Sequence, residues 1–97
     1  MINLNKLSFE WDKGNKYKNW IKHKVRWYEC EQVYKNMPLL FYKDEKHSRQ
    51  EDRYKCYGQT NLRRCLYVSF TYRDGNIRVI SARDQNKKER KFYAKKI

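Results

Sequence analysis

The sequence predicts an α+β fold built on a mainly antiparallel sheet, with elements in the order β-α-α-β-β-β-β-α. Three observations carry this reading. Apolar residues recur at helical spacing before Pro38, they alternate with polar ones after it, and Asp74-Gly75 separates two alternating runs. With 97 residues, the chain is expected to form one domain spanning residues 1–97.

Taken in order, Leu7, Phe9 and Trp11 alternate with Ser8, Glu10 and Asp12, the pattern of a short strand. Asp12 is placed to cap a helix starting at Lys13, with Tyr17, Trp20 and Ile21 as its buried stripe. A second amphipathic helix carries Trp27, Cys30, Val33, Tyr34 and Met37 on one face and stops at Pro38. Leu39 to Tyr42 reads as a strand and Lys43 to Gln50 as a polar loop. Arg53 to Gly58 and Cys65 to Arg73 are strands joined by the basic turn Gln59 to Arg64. Asp74-Gly75 tolerates positive φ at both positions, which suits a two-residue hairpin, and Asn76 to Arg83 returns as its partner strand. Asn86 to Lys96 predicts a terminal helix anchored by Phe92 and Tyr93.

The hairpin fixes a register. Arg73 should face Asn76, Tyr72 Ile77, Thr71 Arg78, and Phe70 Val79. Leu66, Val68, Phe70, Tyr72, Ile77 and Val79 then share the core side, under the two early helices. The opposite face is expected to carry Glu51, Arg53, Lys55, Thr71 and Arg78. One carboxylate among cations suits a phosphate site, while cross-strand charge pairing is the plainer alternative.

Composition narrows the partner. Twenty-four Lys and Arg against 11 Asp and Glu leave a net charge of +13, which attracts polyanions and nucleic acid first among them. An aromatic share of 16% supplies a packed core and argues against disorder. No apolar run approaches the ~18 residues of a membrane span, and Met1 to Lys6 does not read as a signal peptide. A cytoplasmic protein without membrane attachment is expected. Cys30, Cys56 and Cys65 lack a C-x-x-C spacing, so a zinc site would need His23 or His47 from a distance. Thiols in a reducing compartment are the simpler reading, and no metal or cofactor is expected.

Four segments resemble the BrnT family of toxins from toxin–antitoxin pairs. Phe9-Glu10-Trp11-Asp12 precedes Lys16, Asn19 and Lys22-His23, and Asp44-x-x-His47-Ser48-x-x-Glu51-x-Arg53 with Gly58 is similar to the central signature. Ile77-Arg78-Val79-Ile80-Ser81-Ala82-Arg83 resembles the last strand, and Glu89-Arg90-x-x-Tyr93 the terminal helix. Lys24 stands where the family usually has glycine, and Cys30 where it has alanine. The resemblance implies a RelE-like fold, ribonuclease activity, and inhibition by a BrnA-type antitoxin with a ribbon-helix-helix DNA-binding segment. Such an antitoxin is expected to be acidic and to form a higher oligomer around its own dimer.

Metal-independent cleavage of RNA needs a base for the 2′-hydroxyl, an acid for the leaving oxygen and cations for the phosphate. Arg53, Arg78 and Arg83 are the candidate cations, since guanidinium stays charged and binds phosphate bidentately. Arg78 and Arg83 are five positions apart, so strict alternation would set them on opposite faces unless a bulge or twist intervenes. His47, His23 and Glu51 are the proton-transfer candidates. His47 can equally be a solvent-exposed loop histidine, His23 a helix cap or RNA contact, and Glu51 a support for Arg53. Lys22, His23, Lys55, Arg63, Arg64 and Arg90 are expected to contact RNA, with Tyr57, Tyr67 or Tyr93 available to stack a base. A noncatalytic RNA- or DNA-binding regulator would use the same basic surface without turnover.

Overall fold

A computed structural model describes residues 6–97. The expectation for the N-terminal leader falls on residues that, apart from Lys6, lie outside that range. The elements are β1 (Ser8–Phe9), α1 (Lys18–His23), α2 (Trp27–Val33), β2 (Leu40–Lys43), β3 (Arg53–Gln59), β4 (Cys65–Arg73), β5 (Asn76–Asp84) and α3 (Lys87–Ala94). A short 3-10 turn, Glu45–His47, lies in the loop between β2 and β3. The sheet order is β1-β5-β4-β3-β2. Three of its four pairings are antiparallel, and β1 runs parallel to β5, so the sheet is mixed. This arrangement agrees with the RelE-like fold that the resemblance implied.

The hairpin register is the expected one at all four pairs, from Arg73 with Asn76 to Phe70 with Val79. Asp74 and Gly75 have φ of 51° and 83°, the left-handed geometry that a two-residue turn requires. Beyond Val79 the ladder slips. Ser69 pairs with Ser81, which leaves Ile80 as the extra residue of a β-bulge.

The N-terminal third differs from the periodicity reading. Asp12 does not cap a helix at Lys13. Its Oδ1 accepts from the Gly14 amide at 2.7 Å in a tight turn, and α1 begins only at Lys18. The expected stripe of Tyr17, Trp20 and Ile21 is exposed, and the buried residue of α1 is Asn19. The reason is polar. Only Asn76 and Ile77 of β5 are paired with β1, and the remaining outer edge is covered by side chains. Asn15 Nδ2 donates to the Val79 carbonyl at 3.2 Å, Lys18 Nζ to Ile80 at 2.8 Å, and Asn19 Oδ1 accepts from the Ala82 amide at 3.0 Å. Helix α1 therefore docks on the bulge through hydrogen bonds.

Helix α2 follows the prediction in its buried residues Cys30 and Val33, with Tyr34 just beyond it, whereas Met37 is exposed because the helix ends before it. These side chains meet Cys56, Leu66, Val68, Phe70, Ile77, Val79 and Ala82 to form the core. Full burial of each large side chain contributes on the order of 1.5–3 kcal/mol. Gly58 lets α2 approach β3 closely, since a Cβ there would lie 2.5 Å from Val33 Cγ1. Burial pushes the Cys30 and Cys56 thiols up to about 12, which leaves them protonated and inert. All three cysteines are free.

Candidate RNA-binding face

The bulge decides what the second face of the sheet carries. Arg78 pairs with Thr71 and Arg83 with Tyr67, and Thr71 and Tyr67 lie on the same side of β4. The extra residue restores parity, so Arg78 and Arg83 share the face that strict alternation would have denied one of them. Pairing of β3 with β4 and of β2 with β3 completes three cross-strand rows. The first is Arg53, Thr71 and Arg78; the second Tyr42, Lys55, Ser69 and Ser81; the third Leu40, Tyr57, Tyr67 and Arg83. Two strand spacings put the Arg53 and Arg78 backbones about 10 Å apart.

The three arginines differ in what holds them. Arg78 grips Asp12 with both terminal nitrogens, at 2.7 and 3.1 Å, and Glu10 lies 3.8 Å away. That guanidinium, with the Gly14 amide, holds the Asp12 carboxyl below its ordinary 3.8. Arg83 forms the same fork on Glu89, at 2.7 and 3.1 Å, and its guanidinium lies 4.3 Å from the Tyr67 ring centroid. Burial alone would raise the Glu89 carboxyl, but Arg83 and the Asn86 amide outweigh it and hold it below 4.5. Arg53 has no carboxylate within 4.0 Å among the described residues. It is the cation of the three left open to an outside anion.

His47, Glu51, Arg53 and Thr71 line one open cavity of about 330 Å³, together with Arg49 and Gln50. The 3-10 turn brings His47 there. Asp44 stands at 2.9 Å from His47 Nδ1 and fixes that ring nitrogen as the protonated one of the neutral form, leaving Nε2 as an acceptor. The same contact holds the Asp44 carboxyl below 3.8. Ser48 ties the turn to β3, donating its hydroxyl to the Asp44 carbonyl at 2.6 Å and accepting the Arg53 amide at 3.0 Å. Glu51 pairs with Arg73 at 3.0 Å, so its partner is not the Arg53 considered from the sequence. The sequence marks Thr71 only as part of the polar face. Its Oγ1 is buried without a hydrogen-bond partner between the Arg53 and Arg78 positions, and no sequence signal separates it from an ordinary strand threonine.

Other expected contacts lie elsewhere. Arg64 is committed to the fold, with Nε 2.6 Å from Asp84, Nη1 3.2 Å from Glu29 and 2.8 Å from the Lys24 carbonyl, and Nη2 3.4 Å from the His23 carbonyl. Its fork ties α1, α2 and β5 together, so it has little left for RNA. Tyr93 is 1% exposed and donates its hydroxyl to the Pro38 carbonyl, which removes it as a stacking surface. Lys22 and His23 are exposed in the last turn of α1, a helix packed on β5. Arg63, at φ 66°, and Arg90 line a second cavity with Arg64, Cys65, Asp84 and Gln85. Lys55 lies on the face with Arg53. Among the described residues no group of three His, Cys, Asp or Glu side chains is placed to hold a metal ion, and no helix is long and apolar enough to cross a membrane.

The sheet carries α2 and the core on one face, and Arg53, Lys55, Arg78 and Arg83 on the other, where α3 lies against Tyr57 and Arg83. A family model for the ribonuclease toxin BrnT of type II toxin–antitoxin systems matches residues 11–89, and the chain belongs to that family. A search of curated proteins finds no match.

Proposed function

We propose that this chain is a metal-independent endoribonuclease toxin that cleaves RNA at the cavity of His47, Glu51 and Arg53. The observation that carries the reading is the meeting of an unpaired guanidinium, an imidazole with a free acceptor nitrogen and a carboxylate around one open cavity. His47 Nε2 takes the proton of the 2′-hydroxyl, whose oxygen attacks the adjacent phosphorus. Arg53 binds the phosphate oxygens as charge grows on them, and the Thr71 hydroxyl beneath offers a further donor. The imidazolium formed in the first half-reaction returns its proton to the departing 5′-oxygen, while Glu51, paired with Arg73, lines the same cavity. Arg78 and Arg83, oriented by Asp12 and Glu89, extend the positive field along the RNA backbone.

A chain of net charge +13 in this role needs an occupant for its basic face when RNA cleavage must stop. An acidic antitoxin of the BrnA type, dimeric through a ribbon-helix-helix segment, fits that need by fast, salt-sensitive association. The complex is a higher oligomer built on the antitoxin dimer. Induction of the chain in a bacterium, with mapping of RNA 5′ ends, tests the activity. New ends at defined sites that vanish in Arg53→Ala support it, and intact RNA with unimpaired growth refutes it.

A further inference from the structure

Beside the His47 cavity, the open face carries a further one, also about 330 Å³, bounded by Tyr42, Lys43, Lys55, Tyr57 and Phe92. We propose that it is a nucleobase subsite, taking one unpaired base of single-stranded RNA beside the phosphate bound at Arg53. This inference rests on the RNA reading above and names how the strand is gripped.

Three aromatic rings form the cavity. Tyr57 contacts Tyr42 at 6.3 Å with an interplanar angle of 66°, and Phe92 at 6.1 Å with 71°, so both neighbours stand steeply to its ring. Tyr42 and Phe92 are 43% and 41% exposed, a large apolar surface to leave in water on so polar a chain. The cavity is held open by built features. Asn86 caps α3, accepting from the Glu89 amide at 2.8 Å while the Glu89 carboxylate accepts from the Asn86 amide at 2.9 Å. The Tyr93 hydroxyl then pins α3 to Pro38, just ahead of β2. These contacts hold α3 in place with Phe92 beside Tyr57 of β3, across from Tyr42.

Charge and position identify the occupant. Lys55 has no carboxylate within 4.0 Å among the described residues, and Lys43 is shared with Asp52 at 3.4 Å. Ammonium groups only donate, so the rim favours a base edge rich in acceptors, such as guanine O6 and N7. Lys55 follows Arg53 by two residues on β3, about 6.6 Å along the strand and on the same face, so both sites can be spanned by one chain of RNA. Aromatic faces interleaved with cations are the way single strands are held.

The test uses the full chain and fluorescence anisotropy with 2′-O-methyl RNA hexamers, which cannot be cleaved through the 2′-hydroxyl. One hexamer carries an internal guanosine, one a cytidine and one an abasic site at that position. Wild type should bind the guanosine hexamer about tenfold tighter than the abasic one, with cytidine between. Tyr42→Ala and Phe92→Leu should each bind all three as weakly as wild type binds the abasic strand, with unchanged circular dichroism. Equal binding of all three hexamers by wild type overturns the proposal, as does full discrimination retained in both variants. Because cleavage is absent from the assay, a chain that discriminates bases but leaves ordinary RNA intact refutes the ribonuclease reading and not this one.

Discussion

Arg78 and Arg83 stand on one face of the sheet, although five positions separate them on the same strand, because the bulge at Ile80 adds one residue between them. The helix before the core creates this condition. Asn15, Lys18 and Asn19 take the backbone groups at Val79, Ile80 and Ala82 on the outer edge of β5, which fixes the slipped strand.

Asn19→Ala should therefore act at a distance. It leaves the buried Ala82 amide without its acceptor, a loss of about 1–3 kcal/mol in stability. It should also lower RNA cleavage more than a control of equal stability loss in the core, because Arg83 loses its place. Urea unfolding and cleavage rates measured on the same preparations check both, and equal activity loss in the core control would remove the positional role.

Lys24, at the position where the resembled family usually has glycine, is the left-handed cap of α1, with φ 56° and ψ 36°. Its amide donates to the Trp20 carbonyl at 3.0 Å and the Val25 amide to the Asn19 carbonyl at 3.1 Å, which closes the end of α1. Both Lys24→Gly and Lys24→Ala lose the ammonium over the Trp20 ring, but only glycine relieves the backbone. The glycine variant should be the more stable of the two by about 1 kcal/mol in chemical denaturation.

Stability should fall in acid. Asp12, Asp44, Asp84 and Glu89 all have carboxyls held below their ordinary values, 3.8 for the aspartates and 4.5 for the glutamate. A depressed folded-state value means the unfolded chain takes up protons first, so the contribution is complete above about 4.5 and is lost as pH falls through the lower folded values. Urea midpoints from these four groups should hold level from pH 7 to 5 and drop below pH 4. A midpoint that rises on acidification would contradict the ion pairs.

The buried hydroxyl of Thr71 separates stability from function. Thr71→Val keeps the shape and removes a polar group that has no partner, so it should stabilise the fold by about 1 kcal/mol. If the hydroxyl serves the phosphate, the same change should slow cleavage. A variant that gains stability and keeps the full rate would leave Thr71 as packing only.

Much of the sheet was legible because β periodicity and turn chemistry are local. Leu66, Val68 and Phe70 alternate strictly, and Asp74-Gly75 admits one turn, so the first four pairs of the hairpin follow by counting. The bulge was not legible, because it is stabilised by Asn15, Lys18 and Asn19, more than 60 residues away in sequence. The same remoteness misled the reading of α1. Tyr17, Trp20 and Ile21 have helical spacing, but a six-residue helix anchored by polar side chains need not bury them. At the site, charge and residue type pointed to Arg53, Arg78 and Arg83, while the carboxylates that separate the free one from the paired ones come from β1's following turn and from α3. Arg64 and Tyr93 misled because a basic turn and a helix-borne tyrosine look alike in sequence whether solvated or committed to packing.

Arg53 itself is tested by charge-conserving exchange. Arg53→Ala should lower cleavage about 10²–10³-fold with an unchanged urea midpoint, and Arg53→Lys should recover little, since an ammonium cannot bind phosphate as a fork. His47→Ala should lower it about 10²–10⁴-fold. Unchanged activity in His47→Ala at neutral pH would move the base to Glu51.

In the proposed reaction the RNA's own 2′-hydroxyl is the nucleophile and protein groups alone assist it. End-group analysis of the products made by the purified chain in excess EDTA tests it most directly, with a substrate carrying a single 2′-deoxy sugar at the mapped site as control. Attack by the 2′-hydroxyl should leave 2′,3′-cyclic phosphate and 5′-hydroxyl ends, and the deoxy substrate should stay intact. Products with 5′-phosphate ends, or activity that disappears in EDTA and returns with one divalent ion, would contradict it.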